Sequence, residues 1–439
     1  MTTEQLLAGI EATIAQYRAE LGAPPAPPPP TQFQLVQPSE NLQLALNAAT
    51  MPIHLVAGAT YPGVTLPSGT RLYGNGANIA GVGVPALYAP PSTTNVYAEG
   101  LTCTSNQSSV VKLGDTSSTT QGTLALVPTG ITLSNITVPT HRGKRAFEVH
   151  AVATLIGCSA LDVYDPALAD SQGVWIHNTP GPVSILGGTF TAGSENIMIG
   201  GDSIKIPGNV PTDILIDGVT LQKPLSWQTD GVNRAVKNCF EVKAGRRVRL
   251  LNSTLDGSWT ASQTGWAIVI TPKNANLIDD VLIEDCTVRN AAGLVQLMGL
   301  DYNSVTPQAT RGVVLRNVQF TISRALFANN SSSMGCLTTM TGGMKDVRFE
   351  NCTGTMDGQQ MVFSDTNATY GQQGPVTITG CTTPTGQYAL KADGVNYGSA
   401  LPPGSVYIGQ ELLIGAITGN TFTGAPSQFR TNFPANTYV

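Results

Sequence analysis

VRLLNSTL (residues 248–255) is an eight-residue stretch that decides the fold. Apolar residues hold its first and third positions, Asn252 its fifth and Thr254 its seventh. The pattern recurs as ITLSNITV (from Ile131), ATLIGCSA (Ala153), VSILGGTF (Val183), ILIDGVTL (Ile214), VLIEDCTV (Val281), VVLRNVQF (Val313), VRFENCTG (Val347) and VTITGCTT (Val376). Start-to-start spacings are 22, 30, 31, 34, 33, 32, 34 and 29. A period near thirty, varied by insertion, marks a solenoid. Alternation of period two makes each unit a strand with one buried face.

The fifth position is Asn135, Gly157, Gly187, Gly218, Asn252, Asp285, Asn317, Asn351 and Gly380. Only Asn, Asp and Gly occur there, the residues that tolerate a left-handed backbone. Each turn is therefore expected to bend at the same corner, with Asn and Asp side chains stacked as a hydrogen-bonded ladder. The expected fold is all-β: a right-handed, single-stranded parallel β-helix of at least nine turns, with a short N-terminal helix and a capping helix. Cys158, Cys286, Cys352 and Cys381 share the sixth position and read as reduced, buried, small apolar fillers. Seven cysteines, an odd number, do not make a disulfide framework.

A second strand precedes each unit: RAFEVHA (from Arg145), GVWIHNT (Gly173), ENIMIGG (Glu195), NCFEVKA (Asn238), WAIVITP (Trp266), GLVQLMG (Gly293), ALFANNS (Ala325), QMVFSDT (Gln360) and YALKADG (Tyr388). Long connections follow Gly201, Thr271, Gly299 and Asn330, and loops stacked on one side of a solenoid build its binding face.

The chain divides into five segments. Residues 1–22 carry Leu7, Ile10, Ile14, Tyr17 and Leu21 at heptad spacing, a seam that packs on copies of itself or on a partner. Residues 23–38 contain APPAPPPP (Ala23 to Pro30), a stiff polyproline spacer. Residues 39–80 hold a capping helix over Ser39–Ala49 and the opening strands. The coil body spans 81–400, and 401–439 form the last turn and its cap.

Of 439 residues only 12% are charged, with a net charge of −5 and no long basic run, which leaves no footprint for nucleic acid. RGKR (Arg142 to Arg145) reads as a solvated loop. No apolar run is long enough to span a membrane. The N-terminus has neither a cationic n-region nor an apolar h-region, so synthesis in a cytoplasm without a signal peptide is expected. No zinc spacing, phosphate loop, nucleophile elbow or calcium loop occurs, and neither cofactor nor metal is expected.

Candidate chemistry sits on the second strands. Phe147, Val149, Phe240 and Val242 point inward, which puts Glu148, His150, Glu241 and Lys243 on an outer polar strip beneath the loops. Of these Glu148, His150 and Glu241, with Asp202 in the loop after Gly201, are the weak catalytic candidates. Hydrolysis needs two carboxylates about 5 Å or roughly 6.5–9.5 Å apart. Glu148 and Glu241 are three turns apart, roughly 14 Å, too far to act as a pair. Lys205 and Lys243 are candidate sugar contacts. Trp227 and Trp259 follow polar turns and are candidate stacking platforms, whereas Trp175 and Trp266 read as covered by loops.

Two segments, Gly193 to Trp227 and Lys237 to Asn274, resemble bacterial right-handed parallel β-helix proteins of the pectin-lyase-like superfamily. The shared positions are Glu195, Asn196, Lys223, Trp227, Lys237, Asn238, Glu241, Lys243, Trp259, Gln263 and Gly265, with Ser258 where the family tends to have Asn. The resemblance implies the coil and names no reaction. Glu195, Asn196, Lys223, Lys237, Asn238 and Gln263 are read as a structural network of the shared motif, and Lys237, Asn238, Glu241 and Lys243 as a charge-paired network that braces the loops around Asp202 and Trp227. The front end is similar to bacteriophage tail spikes: a self-associating helix, a stiff spacer, a cap helix and the segment GATYPGVTLPSGTRLYGNG. That resemblance implies a homotrimer on a virion, working outside cells, anchored to a tail or particle protein through residues 1–22, that binds host-surface polysaccharide and in one reading cleaves it. Two alternatives stand beside it: a free bacterial polysaccharide lyase or glycoside hydrolase, and a non-enzymatic structural or decoration protein of a particle.

Overall fold

The computed structural model describes residues 32–273, 277–300, 310–327, 335–366, 373–394 and 412–439. The heptad helix expected over residues 1–22 and the proline run lie outside them. All strand pairings are parallel, and they assemble a 25-stranded sheet and a 12-stranded sheet. Each turn of the body gives three strands. Val248, for example, lies in Gly245–Leu251, which passes the corner at Asn252 into Thr254–Ser258, and Trp266–Ile270 then joins the 12-stranded sheet. The chain is a parallel β-helix, and among the described residues twelve successive turns contribute a strand to the shorter sheet.

The corner is as the repeat implies. All nine fifth-position residues have positive φ, from 50° at Asn252 to 70° at Gly218. What closes the ladder is mainly backbone. Gly187 N–H donates to the Asp217 carbonyl at 2.8 Å, Gly218 to Leu251 at 3.0 Å, Asn252 to Glu284 at 3.0 Å and Asn317 to Glu350 at 2.9 Å. The expected side-chain ladder is discontinuous because glycines interrupt it. Asn317 Nδ2 donates to Asp285 Oδ1 at 3.0 Å, and Asn252 Nδ2 to Asp217 Oδ1 at 2.7 Å, one residue before its own column. The column runs past the nine units, through Gly100 above and Gly419 below.

A second left-handed column stands just before six of the nine units: Gly130, Asp213, Arg247, Asp280, Gly312 and Asp346. Arg247 holds this conformation while its guanidinium meets Asp213 Oδ1 and Oδ2 at 2.6 and 2.8 Å.

Inside the coil the apolar positions stack into one continuous core, with Ile131, Leu133, Leu155, Val248 and Leu250 essentially inaccessible. The seven cysteines are free and buried, and the thiols of Cys158, Cys286, Cys352 and Cys381 face carbonyls of the preceding turn. Helix α1 (Leu42–Ala48) lies at the upstream end with Leu42 and Leu46 buried. It begins later than the expected Ser39, because Glu40 N–H turns back to the Gln37 carbonyl and Asn41 caps the helix by accepting from Leu44 N–H. Helix α2 (Ser427–Asn432) closes the other end with Phe429 buried against Phe422, Phe433 and Tyr438. One expected strand is misplaced. ALFANNS overlaps a short 3-10 helix at Arg324–Leu326, and the strand of that turn is Thr338–Thr341.

Gly218 isolates the conformational constraint from packing, since a Cβ added there meets nothing within 4 Å at φ 70°. Gly218→Ala is expected to destabilise by about 1 kcal/mol and Gly218→Asn by distinctly less. Urea midpoints check this; an alanine variant as stable as wild type removes the corner from the argument.

Candidate functional site

The outward residues of the 12-stranded sheet are placed by register. Tyr88, Lys112, Glu148, Trp175, Met198 and Glu241 are successive partners in one column. Three strand steps separate Glu148 from Glu241, so the two carboxylates stay roughly 14 Å apart at about 4.8 Å per step. The loops that flank this sheet, including 114–128 and 201–211, rise beside the column.

At the upstream end lies a pocket of about 570 Å³. Tyr88, Lys112, Glu148 and Trp175 form its floor, and Ser109, Arg145 and Asp202 also line it. Its wall at 114–128 is pinned from behind. Gln121 Nε2 donates to the carbonyls of His150 at 2.8 Å and Asn178 at 3.0 Å, and Asn178 Nδ2 returns bonds to Asp115 and Gln121. Opposite it, Asp202 accepts from Ser203 N–H at 2.6 Å and pairs with Lys205 at 3.3 Å.

Glu148 is nearly buried yet ionised. Burial alone would raise its carboxyl, but the hydrogen bond and charge of His150, the Ser109 hydroxyl and Arg145 more than offset this and hold it at about 2. His150 Nε2 lies 2.9 Å from Glu148 Oε1, and its Nδ1 lies 2.6 Å from the His177 carbonyl. Both ring nitrogens of His150 therefore face acceptors. Burial, and then the charge of His150, push His177 down to about 4, so this second ring is neutral. Trp175 is stacked on His177 with centroids 5.3 Å apart and donates its indole N–H to the Gly200 carbonyl at 2.7 Å.

Further along the column the same outer face is sealed. Glu195 and Glu241 are both inaccessible and face one another, with Gln172 Nε2 on Glu195 at 2.7 Å and Asn238 Nδ2 on Glu241 at 3.2 Å. Lys237 bridges Asp170 at 2.6 Å and Glu195 at 3.3 Å, Lys243 holds Glu241 at 3.2 Å, and Gln263 accepts from Asn238. Burial, then repulsion from Glu195, push the Glu241 carboxyl up to about 7. Lys223 is fully buried and donates to Asn196 Oδ1 and, at 2.7 Å, to the Asn238 carbonyl; Asn196 Nδ2 bonds the Phe190 and Gln222 carbonyls. One step beyond Glu241, Trp266, Val269, Ala292 and Cys336 form an apolar plug under Leu326 and Phe327.

Of the residues expected to do chemistry, Glu148 and Asp202 reach the pocket. His150 stands behind Glu148 with no exposure, and Glu241 is inaccessible within the network. Lys205 and Lys243 are committed to Asp202 and Glu241. Trp259 is buried and is no platform, because the loop that carries it folds onto the coil. Trp227 is half-buried with the Arg234 guanidinium 4.2 Å over its ring. Tyr88, Ser109 and Lys112 were missed, because they stand on turns upstream of the first recognised repeat. Arg145 is a correction, being half-buried rather than a solvated loop residue, whereas Trp175 is buried as expected and also lines the pocket.

No protein-family model matches the chain, and no curated protein matches it. Among solved structures, the surface protein and adhesin PfbA of Streptococcus pneumoniae is similar at TM-score 0.53 and 11% identity, over 80% of this chain and 95% of that one. A crystal structure of the same surface adhesin gives TM-score 0.41 at 12% identity, over 84% and 91%. An alginate lyase from Paenibacillus sp. str. FPU-7 gives 0.29 at 12% identity, over 83% and 99%. The first of these supports the fold and nothing finer.

The Glu195–Glu241 contact predicts a pH dependence. An ordinary glutamate titrates at 4.5 and folded Glu241 at about 7. Between these values the folded state keeps a proton that the unfolded chain has released, so this group lowers stability as pH rises through that window. Glu241→Gln is expected to flatten that part of the curve of urea midpoint against pH. A variant that keeps the full wild-type slope removes the assignment.

Proposed function

We propose that the chain binds polysaccharide along the outer face of its 12-stranded sheet, with one sugar residue seated in the pocket over Tyr88, Lys112, Glu148 and Trp175. The observation that carries this reading is the pocket itself. It combines aromatic rings with hydroxyl and charged groups on rigid strands, between walls pinned by buried Gln121 and Asn178. Such a floor suits a ligand that is apolar on its ring faces and polar at its edges. A surface adhesin with the same fold is in keeping with it.

The finer reading we propose is a spike of a bacterial virus. Residues 1–22 would trimerise the chain and attach it to a particle, and the proline run would hold the coil away from that anchor. Its support is the heptad seam and spacer in the sequence. A stable trimer in sedimentation that becomes monomeric when residues 1–22 are deleted is the expected result, and a monomer in both forms ends the trimer.

Cleavage is the second reading, favoured by an ionised Glu148 and Asp202 lining one pocket. New reducing or unsaturated ends, lost in Glu148→Gln and in Asp202→Asn, would establish it.

For binding, Tyr88→Ala is expected to weaken oligosaccharide affinity about fivefold, the worth of roughly 1 kcal/mol of aromatic contact. Titration calorimetry against capsular, lipopolysaccharide and pectic fragments checks it. No binding of any fragment, or affinity unchanged in Tyr88→Ala, removes this pocket as the seat.

A further inference from the structure

Arg145 is the group in the pocket whose bonding the rest of the protein leaves incomplete. Its guanidinium lies 3.9 Å over the Trp175 ring and is largely shielded from water, and its Nε has no hydrogen-bond partner. Among the described residues this guanidinium makes no hydrogen bond and no ion pair. The neighbouring arginines differ: Arg142 holds Asp162 at 2.5 Å and Arg234 holds Asp230 at 2.8 Å.

Four carboxylates lie within the electrostatic reach of Arg145, namely Glu148, Asp170, Glu195 and Asp202. Each is already engaged. Glu148 takes Ser109 and His150, Asp170 takes Lys237 at 2.6 Å, Glu195 takes Gln172 and Lys237, and Asp202 takes Ser203 and Lys205. Their charge makes a sheltered cation tolerable, while none of them supplies the in-plane acceptors that a guanidinium needs.

A buried donor without an acceptor is costly, and the planar fork of arginine is matched by two oxygens of one oxyanion. With its central carbon 3.9 Å over the Trp175 ring the guanidinium is favoured flat on the indole, and its Nε is left without an acceptor. Lys112 adds a second cation on the pocket floor, paired with Asp115 at 3.3 Å and half-exposed.

We infer that the pocket is built for an oxyanion carried by the bound glycan, with Arg145 as its bidentate donor and Trp175 as the surface that holds the guanidinium flat. The ligand class is an anionic polysaccharide, its charge supplied by a sugar carboxylate or by a phosphate linking or decorating the sugars. The natural source rests on the glycan-binding reading. The oxyanion contact does not, because it can be measured with small anions.

The test uses the full chain as wild type, Arg145→Gln and Arg145→Lys, with unfolding midpoints recorded for each. Four probes are titrated by calorimetry: a uronate oligosaccharide, a sugar-phosphate oligomer, a neutral oligosaccharide of equal length, and inorganic phosphate alone. One of the two anionic oligomers is expected to bind wild type best, and which one does so identifies carboxylate or phosphate as the source. Arg145→Gln is expected to weaken it by roughly tenfold or more and to leave the neutral probe unaffected. Arg145→Lys keeps the charge, loses the fork, and is expected to fall between the two. Should Arg145→Gln not fold, the decision passes to Arg145→Lys and to competition by inorganic phosphate on wild type. Equal affinity of wild type for neutral and anionic oligomers overturns the inference. So does wild-type affinity for the anionic oligomer in a folded Arg145→Gln variant, or in Arg145→Lys where the glutamine variant does not fold. Binding of the neutral oligomer alone keeps the glycan reading and ends this one. Phosphate binding that depends on Arg145, with no oligosaccharide bound, does the reverse.

Discussion

One backbone constraint sets the rest of the molecule: a residue in the left-handed conformation once per turn, its N–H donated to the carbonyl just before the same corner of the next turn. A slip of one residue at that corner would turn every inward side chain of the following strand outward. The corner therefore admits no insertion. The repeat spacing nevertheless runs from 22 to 34 residues. The extra length goes to the other two corners, and both border the 12-stranded sheet. Loops consequently rise on both edges of that sheet and make its outer face a groove. The location of the candidate site follows from which corner cannot lengthen.

Within that groove one column of side chains meets three environments. At Tyr88 to Trp175 the loops stand apart and leave a pocket. At Glu241 they close over a network of carboxyl, ammonium and amide groups. At Val269 an apolar cluster fills the space. Two glutamates of the same column are thus shifted in opposite directions from the ordinary carboxyl. Glu148 is held ionised by two donors, His150 and Ser109, and by the charge of Arg145, and it opens to the pocket, while Glu241 is sealed against a second carboxyl that favours its protonated form. What can act on a ligand is decided by what covers each residue, since strand position is common to both.

Much of this was legible in the sequence. The corner residues, the inward alternation of Phe147, Val149, Phe240 and Val242, and the distance between Glu148 and Glu241 all follow from period two and a parallel register. The association of Glu195, Lys237, Asn238 and Glu241 was visible as spacing shared with other coils. The pocket was not legible. Its floor begins at Tyr88 and Lys112, on turns where long strands such as Arg71–Gly81 and Thr94–Ser105 hide the eight-residue pattern. Nor does sequence show that the Trp259 loop folds down onto the coil or that Arg145 lies against Trp175, because both depend on how separate turns stack. The second left-handed column was available in principle, as Gly and Asp before most units, but Arg247 breaks its composition.

The charges of the two sheets show which side of the coil is finished by its own contacts. On the longer sheet, Arg247 meets Asp213, Arg249 meets Asp280, Arg311 meets Asp279, and Arg316 lies between Glu284 and Glu350, each pair joining different turns. Exposed pairs of this kind contribute on the order of 0–1 kcal/mol each. Their regularity matters more for register than for stability, since a turn displaced by one residue would misalign them. On the shorter sheet the pairing closes around Glu195 and Glu241 and continues at the pocket through Glu148 with His150, Lys112 with Asp115 and Asp202 with Lys205, while the Arg145 guanidinium lies on an indole with an orphaned donor. Among the described residues Arg145 has no carboxylate partner, and it is this sheltered, unpaired donor that the inferred oxyanion would complete.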